Sequence, residues 1–131
     1  MTHRSTDKHR DALSEKVIGC AIEVHRQLGP GLSESAYEAA LSHELSLADV
    51  EHERQVRVPV QYKGIDIDAE CHLDMLIEGE LVIKLKTVER IMLSHEAQLA
   101  SCLKLSGHER GLILNFQGPT LKEGIKRVVL S

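Results

Sequence analysis

One aspartate and two lysines stand at spacings that could bring opposite charges together on adjacent strands. Asp74 interrupts an apolar run, a Glu-Gly-Glu segment centred on Gly79 follows, and a second apolar run carries Lys84 and Lys86 at alternate positions. Carboxylates hold hard cations such as Mg²⁺ or Mn²⁺, and a nearby lysine can stabilise the charge that develops during metal-assisted hydrolysis. A charged ammonium has no lone pair for a metal, so Lys84 would compete with a cation for Asp74.

A hairpin centred on Gly79 predicts which of these side chains face each other. It places Asp74 directly across from Lys84, and His72 across from Lys86. Direct cross-strand neighbours lie about 5 Å apart, and opposite charges there contribute roughly 0.2–1 kcal/mol. The spacing therefore predicts an Asp74–Lys84 ion pair, which in a protein of any function could be a purely structural pair at the end of a sheet.

Length and composition indicate one soluble globular domain covering residues 1–131. Hydrophobic residues make up 42% of the chain and charged residues 27%, which is typical of a folded protein. The net charge of −4 argues against non-specific electrostatic binding of nucleic acid. It leaves open a local basic patch that binds nucleic acid. The three cysteines, Cys20, Cys71 and Cys102, are odd in number and widely spaced, which favours reduced thiols in a cytoplasmic protein. No apolar run approaches the length that spans a membrane, so no membrane partner is expected.

Hydrophobic spacing predicts three helices. Apolar residues recur every three or four positions from Asp11 to Leu28, and Gly29-Pro30-Gly31 ends that helix. A second helix begins near Ser33 or Ser35, where Ser35 and Glu38 fit a capping box. The third helix runs from Ser94 to about Leu105.

Alternating or continuous apolar runs predict a mixed sheet of four to six strands, and so an α/β fold with helices flanking the sheet. Pro59 marks the first of these strands as an edge strand. The predicted strands are Val56–Val60, a run from Ile65 to Ile77, Leu81–Leu85, Gly111–Phe116 and Gly124–Val129.

Four motifs in register resemble the GxxExxY protein family, a group within the PD-(D/E)XK nuclease superfamily. They are Gly31-x-x-Glu34-x-x-Tyr37, His95-Glu-Ala-Gln-Leu99 with Leu103-Lys-Leu-Ser-Gly107, Gly111-Leu-Ile-Leu-Asn-Phe116, and Gly124-Ile-Lys-Arg127. The resemblance covers about residues 10–130 and implies a restriction-endonuclease-like core.

The resemblance also implies roles for individual residues. Asp74 corresponds to the metal carboxylate and Lys86 to the catalytic lysine, with Glu34 as an outer acid and Gln98 as a supporting polar group. Lys84 stands where the second metal carboxylate is expected. The family implies Mg²⁺- or Mn²⁺-dependent phosphodiester hydrolysis, and this substitution leaves it open whether the chain is an enzyme.

Two further positions depart from the family pattern, and one carboxylate could compensate. His72 stands where an arginine is usual, and Cys102 where a tyrosine is usual. Glu70 shares a strand face with His72 and Asp74 by alternation, so it is a candidate replacement metal ligand. Glu34 could instead be an acidic residue in the first turn of a helix, where it interacts favourably with the helix dipole. Gln98 could instead be an ordinary surface residue of its helix.

Two functions of different classes follow. The first is a metal-dependent nuclease or phosphodiesterase with weak or no activity, and the second is a catalytically silent module that binds nucleic acid or protein. A homodimer is also expected, because the edge strand Val56–Val60 offers unpaired backbone groups to a second copy.

Overall fold

Three helices and five strands follow one another in the order that the sequence predicts. The computed structural model describes the backbone of residues 2–130 and the side chains of residues 12–130. The helices are α1 (Thr2–Leu28), α2 (Glu34–Leu47) and α3 (Leu93–Ser106), and the strands are β1 (His52–Tyr62), β2 (Ile65–Ile77), β3 (Leu81–Lys86), β4 (Arg110–Asn115) and β5 (Ile125–Val129). A short 3₁₀ turn, Lys122–Gly124, precedes β5.

The five strands form one mixed sheet in which spatial order equals chain order, β1-β2-β3-β4-β5. Three of the four pairings are antiparallel, whereas β3 and β4 are parallel and are connected through α3. β1 is an edge strand, as Pro59 predicts. The mixed sheet and its strand number are therefore confirmed.

Helices cover both faces of the sheet and divide the core in two. α1 and α2 pack over one face, where Tyr37 and Phe116 are fully buried with Met75 and Ile83. α3 packs over the other face through Leu99 and Leu103, joined by Leu73, Leu76, Val82 and Ile113. The alternation of β3 thus directs Val82 towards α3, and the same alternation applies to Lys84 and Lys86.

The helices differ in three details from the sequence-based predictions. α1 begins at Thr2 and not at Asp11. Leu28, the last residue of the apolar stripe, is 43% exposed because α1 ends there and Gly29 takes a left-handed conformation with φ of +67°. The predicted capping box at Ser35 and Glu38 is wrong. Ser33 caps α2 instead, and its hydroxyl accepts a hydrogen bond from Ala36 N at 3.3 Å. Glu38 forms hydrogen bonds with side chains of β1.

The alternation of the first two strands is interrupted next to Asp74. Leu73 and Leu76 lie in the core under α3, whereas Met75 between them lies in the core under α1 and α2. On β1 the facing residue is Gln55, whose φ of +54° is in the left-handed region. A non-glycine residue in the left-handed region is strained. The interrupted alternation of β2 and the strained Gln55 of β1 therefore mark the position at which Asp74 leaves the regular ladder.

Candidate active site

Asp74 is held at the end of the β2–β3 ladder by two groups of β3. The ladder pairs Met75 with Ile83, the register predicted for a hairpin centred on Gly79. Asp74 Oδ2 then accepts a hydrogen bond from Leu85 N at 2.7 Å. Its other oxygen, Oδ1, lies 3.5 Å from Lys84 Nζ. Both carboxylate oxygens are therefore engaged by the chain itself.

Lys84 makes the predicted ion pair and also binds the backbone. Its Nζ donates to the carbonyl oxygen of His72 at 3.0 Å in addition to its contact with Asp74. The side chain of Lys84 is 23% exposed and that of Asp74 is 16% exposed, so the pair is shielded from most solvent. This ammonium lies against the carboxylate oxygen of Asp74 that Leu85 N does not bind.

Lys84 separates two cavities. The first, of about 340 Å³, lies beside α2 and is lined by Glu34, Glu38, Gln55 and Asp74. The second, of about 210 Å³, lies beside α3 and is lined by Glu70, Lys86, His95, Gln98 and Cys102. Lys84 and His72 line both. The candidate residues from the sequence thus fall on two sides of one lysine, with Glu34 and Asp74 on one side and Lys86 and Gln98 on the other.

Glu34 reaches the end of the strand that carries the lysines. Its Oε2 accepts from Thr87 N at 3.2 Å, directly after Lys86. Three residues along α2, Tyr37 donates its hydroxyl proton to Gly29 O at 2.5 Å and accepts from Leu32 N at 3.1 Å. Its ring stacks on Phe116 with centroids 4.4 Å apart. The Gly-x-x-Glu-x-x-Tyr spacing therefore ties the loop before α2 to the end of β3.

A second network, not predicted from the sequence, supports the α2 side. Glu38 is buried, and its carboxylate accepts from Arg54 Nε at 3.0 Å and from the Gln55 side-chain amide. Because both partners are neighbours on β1, the left-handed conformation of Gln55 is what lets two consecutive side chains reach one carboxylate. Arg54 and Gln55 lie 16 and 17 positions after Glu38 in the sequence, so no local spacing indicates their contacts with its carboxylate.

On the α3 side, His95 has a defined proton arrangement. Its Nδ1 accepts a hydrogen bond from Met92 N at 2.9 Å, so the neutral ring carries its proton on Nε2. Gln98 is one turn further along the same helix and is exposed. Both residues line the cavity that contains Lys86. This end of the site is rich in donors.

Two thiols complete that cavity. Burial raises the pKa of the Cys102 thiol to about 11, and a hydrogen bond with the Cys71 thiol acts in the same direction. Cys20 is distant, on α1, where it packs against the other core. All three cysteines are free, as the sequence predicts.

The donor set does not fit a divalent cation. Glu70, the candidate replacement ligand, lies 3.7 Å from Arg57 Nε and lines the cavity with Lys86, not the one with Asp74. Among the residues whose side chains are described, no three His, Cys, Asp or Glu are grouped so that they could hold a metal ion. With Asp74 already bonded to Lys84 and Leu85, Mg²⁺ or Mn²⁺ would have to displace an ammonium to bind.

Comparisons with known proteins agree with this fold. Residues 11–128 match the PD-(D/E)XK nuclease superfamily. The crystal structure of SSO0001 is similar with a TM-score of 0.58 and 18% identity, over 72% of this chain and 48% of that protein, so the chain spans about half of its length. No curated protein gives a significant match.

The fold is therefore an α/β fold with a mixed sheet flanked by helices, consistent with a restriction-endonuclease-like core. The family match covers most of the sequence, and the chain belongs to the PD-(D/E)XK nuclease superfamily. Within the described residues, no helix is both long and apolar enough to cross a membrane.

Proposed function

We propose that this chain is a nuclease-fold domain whose metal-dependent phosphodiesterase activity is weak or absent and whose remaining role is to bind nucleic acid. The observation that carries this proposal is the contact between Lys84 Nζ and Asp74 Oδ1. A metal ion would have to compete with a tethered cation for the same carboxylate. Membership of the GxxExxY group, supported by Gly31, Glu34 and Tyr37, and a cytoplasmic location belong to the same proposal.

The Lys84→Glu variant tests the proposal directly. It removes the ammonium from Asp74 and restores an acid two residues before Lys86, so Mn²⁺ affinity measured by calorimetry should rise at least about tenfold. Cleavage of single- and double-stranded DNA and of RNA is measured in the same buffers. The gain in cleavage should be smaller than the gain in metal affinity, because His72 and Cys102 also depart from the family pattern.

Two further variants separate charge from coordination. Lys104→Glu makes the same charge change on the exposed face of α3 and should leave metal affinity unchanged. Lys84→Gln releases Asp74 without adding a carboxylate and should give an intermediate affinity. A robust Mg²⁺-dependent nuclease activity of the unmodified protein, lost in Glu70→Ala, would refute the proposal and assign Glu70 as the second metal ligand.

The alternative function, a silent module that binds protein, differs in one measurable respect. The donor-rich cavity beside α3 favours nucleic acid, since its lining includes Lys84, Lys86 and Gln98. If the unmodified protein bound no DNA or RNA of any length at low salt, the protein-binding alternative would replace it.

A further inference from the structure

Lys86 is a half-buried cation that has no counter-ion among the described residues. It lies on β3 between Leu85 and Thr87 with intermediate burial, and it lines the 210 Å³ cavity beside α3. Among residues 12–130, no carboxylate is within ion-pair distance of its Nζ. Taking a charge partly out of water without a partner is costly, so an anion that entered this cavity would be stabilised there.

Among the charged side chains that line the cavity, Lys86 is the one whose charge is not compensated by a described residue. Lys84 is compensated by Asp74 at 3.5 Å, and Glu70 is compensated by Arg57 at 3.7 Å. Of the two lysines in the lining, Lys86 is the one without a carboxylate partner among the described residues. The lining therefore carries about one uncompensated positive charge, and that charge lies at the inner wall of the cavity on a central strand.

Neutral donors surround the same space. The Nε2 proton of His95 and the side-chain amide of Gln98 both belong to the lining. Both residues lie in the first two turns of α3, a 14-residue helix whose N-terminal dipole favours negative charge. Lys84 uses its ammonium on His72 O and Asp74 Oδ1, and it has capacity for a third hydrogen bond.

The size of the cavity restricts the ligand. Pockets that enclose a drug-sized molecule have roughly 300–1,000 Å³. The 210 Å³ available here suits a single tetrahedral oxyanion and not a nucleoside with its base. A terminal phosphate carries about −1.5 to −2 charges at pH 7, more than the single charge of an internal phosphodiester, and it presents three acceptor oxygens.

We infer that the cavity between β3 and α3 binds the terminal phosphate of a nucleic-acid strand without a metal ion, with Lys86, His95 and Gln98 as its donors. This inference rests on the proposed nucleic-acid-binding function and specifies which part of the nucleic acid the site takes. Lys86 supplies the charge, and the two α3 side chains supply directed hydrogen bonds.

The test compares three short single strands of one sequence, with a 5′-phosphate, a 3′-phosphate or neither, in buffer containing EDTA. One phosphorylated strand should bind about tenfold more tightly than the unphosphorylated strand, the gain expected from one or two charge-assisted hydrogen bonds. Inorganic phosphate alone is titrated in parallel to separate a free ion from a strand end. It should perturb the amide signals of residues lining the cavity more weakly than the phosphorylated strand does.

Variants at two lysines make the result specific. Lys86→Gln should abolish the preference for the phosphorylated strand, Lys86→Arg should retain most of it, and Lys104→Gln on the exposed face of α3 should leave it unchanged. Equal affinity of all three strands, or a preference that appears only with added Mg²⁺, would overturn the inference while leaving nucleic-acid binding itself intact. Phosphate binding without strand binding would also overturn it, because the ligand would then be the free ion.

Discussion

The position of the Lys84 side chain matters more to the candidate site than the energy of its ion pair with Asp74. Its contact with Asp74 is long, at 3.5 Å, and a shielded cross-strand pair of this kind is worth about 1 kcal/mol. Its larger effect is steric and electrostatic, because the side chain stands between the acidic cavity beside α2 and the donor-rich cavity beside α3. We therefore expect that a substitution of Lys84 changes cavity shape and charge together.

Cys102 gives a pH-dependent prediction. Because burial, together with the hydrogen bond to Cys71, raises the pKa of the Cys102 thiol to about 11, little thiolate forms at neutral pH. Its alkylation by iodoacetamide at pH 8 should be about a hundredfold slower than that of an unperturbed thiol, and the rate should keep rising up to about pH 11. Mass spectrometry of the labelled peptide measures this rate.

The Cys71→Ala variant serves as the comparison. Loss of the thiol–thiol hydrogen bond should lower the pKa of Cys102 and speed its alkylation, but only in part, since burial is the larger cause. A labelling rate of the unmodified protein that levels off below pH 9 would contradict the prediction.

Gly124 is required by a close approach of two backbone segments. A Cβ there would lie 2.2 Å from Asn115 O, too close for either backbone to accommodate without moving. Gly124→Ala should therefore lower the free energy of unfolding by about 1–3 kcal/mol or more. Gly118→Ala is the matched control, because its Cβ would meet only Thr120 O at 3.6 Å. Urea denaturation of both variants checks the difference, and equal stabilities would count against it.

At the scale of residues, spacing predicts some contacts and misses others. The Asp74–Lys84 ion pair follows from a short turn centred on Gly79, because the register of a tight hairpin depends only on local sequence. The contacts of Glu38 with Arg54 and Gln55 could not be predicted in this way. They depend on how α2 crosses the sheet and on a left-handed residue inside a strand.

The helix α2 joins the loop before it to the strand β3. Tyr37 forms two hydrogen bonds with the Gly29–Leu32 loop. Glu34 accepts a hydrogen bond from Thr87 N, directly after the end of β3. Tyr37→Phe keeps the stacked ring but leaves Leu32 N and Gly29 O without their partner. The free energy of unfolding should fall by about 1–3 kcal/mol.

The exposed tyrosine provides the control for this change. Tyr62 lies at the end of β1 with 60% exposure, so Tyr62→Phe should be neutral within about 0.5 kcal/mol. Denaturation curves of both variants give the comparison. Equal effects of the two substitutions would show that the hydroxyl of Tyr37 does not hold the loop.

Element types were predictable because each has a clear apolar period, whereas their ends depend on tertiary contacts. Of the two predicted starts of α2, Ser33 is the cap, and the capping box at Ser35 is wrong because Glu38 is bonded to β1 and is not available to its own helix. β1 is longer than Val56–Val60 because its pairing with β2 continues from His52 to Tyr62. Pairing partners, more than strand propensity, set the length of that strand.

At the scale of the whole molecule, the outer half of the β1–β2 hairpin extends beyond the ladder with β3. β2 pairs with β3 only from Met75 to Ile77, whereas it pairs with β1 from Ile65 onward. Ile65 and Ile67 are exposed on this ribbon, at 67% and 44%. Unpaired strand edges of this kind are sites at which a second chain can add.

From the outer edge of β1, the first strand of the sheet, we expect a homodimer at micromolar concentration, with β1 of one copy beside β1 of the other. Sedimentation velocity measures the association, and Val60→Lys on the edge strand should shift it to monomer. Lys122→Ala, far along the chain in the 3₁₀ turn, should not. A sedimentation coefficient of a monomer for the unmodified protein at this concentration would contradict the expectation.

The agreement between spatial order and chain order in the sheet bears on how quickly the protein can form. Each strand joins a neighbour that precedes it directly in the chain, and only the β3–β4 pairing has to wait for an intervening helix. Such local connectivity keeps the loop-closure entropy of the three antiparallel pairings small, which is associated with fast folding. Residues 70–102, which carry most of the lining beside α3, belong to one continuous stretch of two strands and a helix. We therefore expect this part of the candidate site to form early in folding.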